Sequence, residues 1–481
     1  MPERDNNWTI TIDKTYQGFS PLAFQNSLTS YGNAGNASVM TNADVINGEH
    51  VTQGPALSNL TNGTQAGNVT ELINFIMDRA TANDVSWALG TTKLFKISST
   101  AVTSGSGVSS CTNGESLVLL KGNLYGFYNT ASAGNIFKMP LTTEVKDDDW
   151  GSTIPTGKTT LQNAIHPSAS KEDIMVFGNG RYVGTYIAES DTLDATKLDF
   201  GNDAVTADVL YNSGYWWLAV NSGITGTNRT EGQIYLYDGS AVPSTLSDEA
   251  GVGVQRIGFL YRINGIVFVA YQDLTSTGFI IGHVSGKAIT PLVRYTGELP
   301  TFAQKTLYKN TLLFLSSGLV YSAGALVPEL PYQLSQHADG GYATCGGIAA
   351  PFGTPLVAST DGGSNFRLAK FSGYDTSCTW KSIVFPVSLG KMKGYIDDIV
   401  VLTKTLGAGA SCSLTVEANQ GSSTSTAQSI ATTSKRRHYF DNFGLAEIED
   451  FRIALSWSAG SATNDCAIRS IIISGHWIES T

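Results

Sequence analysis

The sequence predicts an all-β protein: a β-propeller of about seven blades, preceded by an extended N-terminal arm and followed by a β-sandwich or jelly roll. Three observations carry that expectation. A hairpin unit recurs at a mean spacing of roughly 40–45 residues, the period of a propeller blade. Gly is abundant, with 51 residues, and Pro sparse, with 14, as a turn-dense β chain requires. Near residue 382 the pattern changes to closely spaced alternating strands broken by Gly and Ser. The boundaries that follow are 1–69 for the arm, 70–381 for the propeller and 382–481 for the closing domain.

Residues 1–69 hold few charges and no sustained apolar run, as in Ser27-Leu28-Thr29-Ser30 and Asn59-Leu60-Thr61-Asn62-Gly63-Thr64. Such a segment buries no core of its own, so it is expected to lie over another surface. Scattered Trp8, Phe19, Phe24 and Tyr31 would anchor it. Deletion of residues 1–68 is expected to impair assembly while leaving the propeller folded.

In the middle region the hairpins are explicit. Asn123-Leu124-Tyr125-Gly126-Phe127 leads to Asn135-Ile136-Phe137-Lys138-Met139, and Tyr215-Trp216-Trp217-Leu218 leads to Gln233-Ile234-Tyr235-Leu236-Tyr237. Ile266-Val267-Phe268-Val269 and Phe279-Ile280-Ile281 repeat the theme, as do Leu312-Leu313-Phe314 with Leu319-Val320-Tyr321, and Leu356-Val357-Ala358 with Phe366-Arg367-Leu368. Leu72-Ile73-Asn74-Phe75-Ile76-Met77 suits a strand or a short helix by pattern; the β signals after it favour a strand. Spacing is uneven, so six or eight blades also fit. An open edge would invite aggregation, so a strand from the N-terminal side is expected to complete the last blade.

Seven β runs follow residue 382, among them Ile396–Leu402, Cys412–Glu417, Phe451–Trp457 and Ile468–Ile473. Alternation over about 100 residues reads as a sandwich or jelly roll.

Composition excludes several functions. The net charge is −10, and Lys435-Arg436-Arg437-His438 is the one compact basic run, which argues against non-specific nucleic-acid binding. Charged residues make up 15%, so Ser, Thr, Asn and Gly must cover much of the surface, which suits packing against other subunits. Cys111, Cys345, Cys378, Cys412 and Cys466 show no CxxC spacing and are expected as buried free thiols. The N-terminal sequence has no apolar signal-peptide core, and no apolar run has the length of a membrane span.

Chemistry-bearing motifs are few. Ser359-Thr360-Asp361-Gly362-Gly363-Ser364-Asn365-Phe366 resembles the Asp box of sialidase-type propellers, in which Ser359, Asp361, Gly363 and Phe366 would hold a structural turn. Arginines are dispersed, unlike the cluster a sialidase needs. Asp147-Asp148-Asp149 reads as a solvated inter-blade loop without a calcium-loop spacing, and Asp397-Asp398 opens a sandwich strand; one chain shows no facing carboxylate for either. The six histidines lie far apart, and no nucleophile elbow or phosphate loop is visible. Trp216 and Trp217 are candidates for stacking on a glycan, with core packing as the alternative. No catalytic, cofactor or metal-binding residue is assigned.

Ser30-Tyr31-Gly32-Asn33, Met40-Thr41-Asn42-Ala43-Asp44-Val45, Thr52-Gln53-Gly54-Pro55-Ala56-Leu57 and Trp87-Ala88-Leu89-Gly90-Thr91-Thr92-Lys93 resemble segments of structural proteins from tailed bacteriophages. Ser382-Ile383-Val384-Phe385-Pro386, the Ile396–Leu406 strand and Phe451–Ile473 are similar to the closing β-sandwich of that group. The resemblance implies a virion component, a tail protein such as a nozzle, tip ring or fibre adaptor, assembled in the host cytoplasm without enzymatic activity. Implied partners are copies of itself in a ring or trimer, other tail proteins and a host surface glycan, with DNA met at most by passage through a ring. A carbohydrate-binding adhesin and a glycan-degrading propeller enzyme are the alternatives.

Overall fold

The computed structural model describes residues 7–13, 15, 37–45, 50–64, 71–103, 105–223, 230–239, 244–245, 254–273, 278–285, 288–309, 311–324, 333–338, 344–360, 366–388, 391–457 and 463–479. The chain divides into two compact units. One comprises Ser58–Gly318 with Gly341–Lys370; the other comprises Met1–Leu57, Leu319–Gly340 and Phe371–Thr481.

The first unit is built from antiparallel sheets that follow one another along the chain. The first sheet holds Ile73–Ile76, Ser86–Gly90, Lys93–Ile97 and Ser106–Gly107, and the second holds Asn113–Leu120, Asn123–Asn129 and Gly134–Pro140. The third runs through Ser168–Lys171, Ile174–Asn179, Tyr182–Ile187 and Thr192–Asp199, with Thr156–Lys158 added parallel to its last strand. The fourth contains Ala204–Asn212, Tyr215–Gly223, Thr230–Tyr237 and Ser244–Thr245. Val254–Ile263, Ile266–Asp273, Phe279–Ser285 and Ala288–Tyr295 form the fifth, and the Lys305–Tyr308 and Thr311–Ser316 hairpin starts the sixth. The seventh comprises Thr344–Ala349, Leu356–Thr360 and Phe366–Tyr374, and Pro55–Thr64 from the N-terminal region joins it. The expected closing strand is therefore present.

The first strand of each sheet touches the first strand of the next, and Thr344–Ala349 returns to Ile73–Ile76. That cyclic neighbourhood makes the unit propeller-like. Apolar clusters fill the spaces between successive sheets. Trp87, Leu89 and Leu94 meet Leu117, Tyr128 and Phe137, and Phe127 meets Met175 and Phe177. Each fully buried ring of this kind stabilises the sheet packing by about 1.5–3 kcal/mol.

Local chemistry explains the hairpins. Lys121-Gly122, Ser213-Gly214 and Asn264-Gly265 join first to second strands, and all six residues have positive φ. Two consecutive left-handed residues define the type I′ turn, whose twist matches that of the flanking strands; glycine at the second position adopts it without strain.

In the other unit, Asn7–Ile12, Ile468–Glu479, Met392–Thr403 and Arg437–Asp441 form one antiparallel sheet. A second runs from Ala37–Thr41 through Thr379–Ser382 and Asp450–Ser456 to Cys412–Ala418. Ile10, Ile399, Ile471, Trp380, Leu414 and Ile453 share a single core between them. Trp457 is wholly buried, and its indole N–H donates to the Cys466 carbonyl at 2.9 Å.

The N-terminal segment, expected as an extended arm laid over another surface, has its described strands on sheets of the same chain: Asn7–Ile12 with Ile468–Glu479, Ala37–Thr41 with Thr379–Ser382, and Pro55–Thr64 in the seventh sheet. A segment too polar to form a core still satisfies its backbone by adding to sheet edges. Leu72–Met77 contains the strand Ile73–Ile76, as its pattern suggested.

Candidate functional site

A cavity of about 770 Å³ lies inside the propeller-like unit and is lined by residues of the first, second, fourth, fifth and seventh sheets and by segments that lead into sheets, including those before the third and the sixth. It sits at the beginnings of the first strands. Five of those strands carry a β-bulge: between Ile73 and Phe75, Gly114 and Ser116, Thr206 and Asp208, Ile257 and Phe259, and Cys345 and Ile348. The residues passed over include Asn74, Glu115, Ala207, Gly258 and Gly346, and each lines the cavity. A bulge breaks the two-residue alternation and re-aims one side chain, so these positions face the cavity rather than the gaps between sheets. At Gly346 a Cβ would lie 2.0 Å from the Ile73 carbonyl oxygen, so close approach of the seventh and first sheets requires glycine.

Glu115 is the focal acid. It is buried, and its Oε1 accepts hydrogen bonds from Asn113 Nδ2 at 2.6 Å and Asn129 Nδ2 at 2.8 Å. Asn113 in turn accepts from Asn74 Nδ2 at 2.8 Å. Burial pushes the Glu115 carboxyl up to about 7, against the two amide donors that favour its ionised form. Arg256 is the one cationic residue in the lining, is exposed, and has no ion pair among the described residues. Asp203 and Glu298 are exposed acids in the same wall.

Farther along the same strands lies a second polar layer. Lys305 forms an ion pair with Asp208 and donates to the Leu260 carbonyl at 2.7 Å. The Leu260 and Val209 N–H groups donate to the two Asp208 oxygens at 2.7 and 2.8 Å. Burial raises the Asp208 carboxyl and lowers the Lys305 ammonium, and each partner opposes the other's shift. Asp78, more exposed, accepts from Thr306 Oγ1 at 2.6 Å, Ala350 N at 3.0 Å and Tyr261 Oη at 3.1 Å. The first, fourth, fifth, sixth and seventh sheets thus meet in this layer.

The residues singled out from sequence lie elsewhere. Ser359 and Phe366 fall on adjacent strands of the seventh sheet, whereas Asp361 and Gly363 lie outside the described residues. Ser359 is fully buried, and its hydroxyl has no partner among the described residues. Trp216 is 4% exposed and packs edge-on against Tyr211 at 4.9 Å, which leaves no ring face for a sugar. Trp217 is half-buried and donates to the Asn212 carbonyl at 3.3 Å.

Asp147–Asp149 are more integrated than a solvated turn. Asp148 pairs with Lys146 at 2.7 Å and accepts from Ser109 N at 3.1 Å. The Asp149 carbonyl accepts from Ser152 N and Thr153 N at the short helix Trp150–Thr153. Asp397 meets His476 Nδ1 at 2.9 Å on the neighbouring strand, a pairing across 79 positions. The five cysteines are free thiols, four of them buried. No helix among the described residues is long and apolar enough to cross a membrane.

The cavity residues escaped the sequence reading. Their only local signal was a polar residue inside an apolar run, as at Leu72-Ile73-Asn74-Phe75-Ile76.

No protein-family model and no curated protein matches the chain. Among solved structures it is similar to the extracellular domain of a hybrid two-component system from B. thetaiotaomicron, with 11% identity and a TM-score of 0.48. That alignment covers 74% of this chain and 43% of that one, so the chain spans less than half of that domain's length. The β-propeller domain of the trilobed protease from Pyrococcus furiosus aligns with a TM-score of 0.41 and 9% identity, over 64% of this chain and 94% of that one. The Dos1 propeller aligns with a TM-score of 0.40 and 11% identity, over 63% and 79%. These likenesses concern fold alone. The class defined by the sheets and their cyclic order is an all-β protein with a propeller-like unit.

Proposed function

We propose that the chain is a structural component of a bacteriophage virion, a tail protein that assembles with neighbouring subunits. In this reading the first unit is a propeller of seven blades and the second closes the protein as a β-sandwich. The observation that carries it is the use of the N-terminal segment. Asn7–Ile12 and Ala37–Thr41 add strands to both sheets of one unit, and Pro55–Thr64 completes the last sheet of the other. Added strands of this kind suit a rigid part that must hold its shape within an assembly. The low charge content and the resemblance of several segments to phage structural proteins point the same way. Partners are expected to be further copies of the chain and other tail proteins, arranged about a closed symmetry axis. Light scattering of the purified chain should give a defined oligomer or a stable complex with a tail partner, and labelled protein should map to the tail in virions. A strictly monomeric chain absent from purified particles would sink this reading.

A second reading, an adhesin that recognises a host glycan, is favoured by one observation. The cavity at the strand beginnings carries Arg256 and a hydrogen-bonded Glu115. A glycan-degrading enzyme would need turnover as well as binding, and incubation of the protein with host surface polysaccharide tests that separately.

A further inference from the structure

We infer that the axial cavity of the propeller-like unit binds a hydroxyl-rich, singly charged carboxylate, an acidic monosaccharide or the acidic residue of a short glycan. The inference deepens the adhesin reading and is independent of where in a virion the protein would sit.

Size comes first. About 770 Å³ falls within the range of small-molecule sites and accommodates one or two sugar rings. The charge pattern then narrows the chemistry. Among the described residues, Arg256 is the only cation in the lining and forms no ion pair. A guanidinium presents a fork of donors that matches one carboxylate. Asp203 and Glu298 supply negative charge to the lining, and Glu115, held largely protonated by burial at pH 6, adds a polar carboxyl without a full charge. A phosphate ester or polyanion would be repelled by Asp203 and Glu298 and compensated by a single arginine, whereas one carboxylate seated on Arg256 leaves these acids and Glu115 free to hydrogen-bond sugar hydroxyls.

The polar groups are also held in place. Asn74, Asn113, Glu115 and Asn129 form a continuous chain of hydrogen bonds, anchored by donation from Asn129 Nδ2 to the Ala164 carbonyl at 2.9 Å. A fixed network orients its remaining lone pairs before a ligand arrives and lowers the ordering cost on binding. Phe302 and the neighbouring Leu299 and Pro300 give the wall an apolar part against which the C–H face of a sugar ring can pack.

The test is calorimetric titration of the full chain at pH 6 with sodium D-glucuronate, D-glucose and sodium acetate as probes. Glucuronate should bind at least about tenfold more tightly than either control, because each control carries only half of the required chemistry. Arg256→Met should remove that preference, and Arg256→Lys should weaken it while keeping the charge. Arg256 is exposed, so both variants should melt as the parent does. No heat with glucuronate, equal affinity for glucuronate and glucose, or a preference unchanged in Arg256→Met would each overturn the assignment. None of these results bears on oligomer formation, so failure here leaves the virion reading to its own test.

Discussion

Lys305 and Asp208, 97 positions apart in sequence, form an ion pair that ties the sixth sheet to the fourth across the backbone of Leu260 in the fifth. Both side chains are largely withdrawn from solvent. Desolvation works against each charge, so the pair holds its ionised state through mutual attraction and the backbone donors around Asp208.

Removal of one partner should therefore be severe. Lys305→Met leaves Asp208 buried without its counter-charge and is expected to destabilise the protein by about 3–5 kcal/mol. The double variant Asp208→Leu/Lys305→Met should recover most of that loss, because both desolvation penalties vanish together. Denaturant unfolding of the two variants and the parent measures this directly. Equal losses in single and double variants would mean that the pair matters as packing rather than as charge.

Glu115 predicts a pH dependence with a definite sign. Its folded pKa is raised from 4.5 to about 7, so the folded state retains a proton that the unfolded chain releases. The contribution is fully present below about pH 4.5 and is lost as pH rises towards 7. A gap of that size corresponds to about 3 kcal/mol. Glu115→Gln keeps an oxygen acceptor for Asn113 and Asn129 without the charge. It should raise stability at pH 8 relative to the parent and change little at pH 4.5, as read from melts across that range. A variant less stable than the parent at pH 8 would show that the ionised carboxylate is the favoured form.

The hairpins were legible because their physics is local. Lys121-Gly122 and Asn264-Gly265 write their turns in two residues, and the aromatic-aliphatic strands beside them follow from alternation. The cavity was not legible, because the bulges that turn Asn74 and Glu115 into it depend on pairing with the second strand of each sheet. Nor could spacing reveal Asp397 beside His476, which are brought together only when Met392–Thr403 pairs with Ile468–Glu479. Trp216 and Trp217 stood out in sequence for their chemistry, yet the strand they occupy directs Trp216 into the gap between the third and fourth sheets.

Gly346 gives a steric prediction. Alanine there would bring a methyl group to 2.0 Å from the Ile73 carbonyl, against backbone that has no rotamer to change. Gly346→Ala should separate the first and seventh sheets locally and lower stability by about 1–3 kcal/mol, the range for an overpacked core. Gly353, where a Cβ meets nothing within 4 Å, has positive φ and provides a control for backbone strain without a clash. If melts show Gly346→Ala to be as stable as the parent, close contact with Ile73 does not require glycine there.

The N-terminal segment predicts how truncation fails. Leu60, in the strand Pro55–Thr64, packs in one apolar cluster with Phe95 and Ile97 of the first sheet and Ala358 and Leu368 of the seventh. The strand therefore adds side-chain burial as well as backbone pairing to the point where the ring closes. Leu60→Ala should cost about 2–5 kcal/mol. Deletion of residues 1–69 should do more than impair assembly, because it removes this strand together with Asn7–Ile12 and Ala37–Thr41 from their sheets. Hydrogen exchange should then show lost protection along Phe366–Tyr374 and Ile468–Glu479, whose edges the deletion exposes. A second variant that begins at Pro55 should restore protection along Phe366–Tyr374 and leave Ile468–Glu479 unprotected. Native protection of both strands in the longer deletion would mean that the segment contributes nothing to either unit, and its place would then have to be on a neighbouring subunit after all.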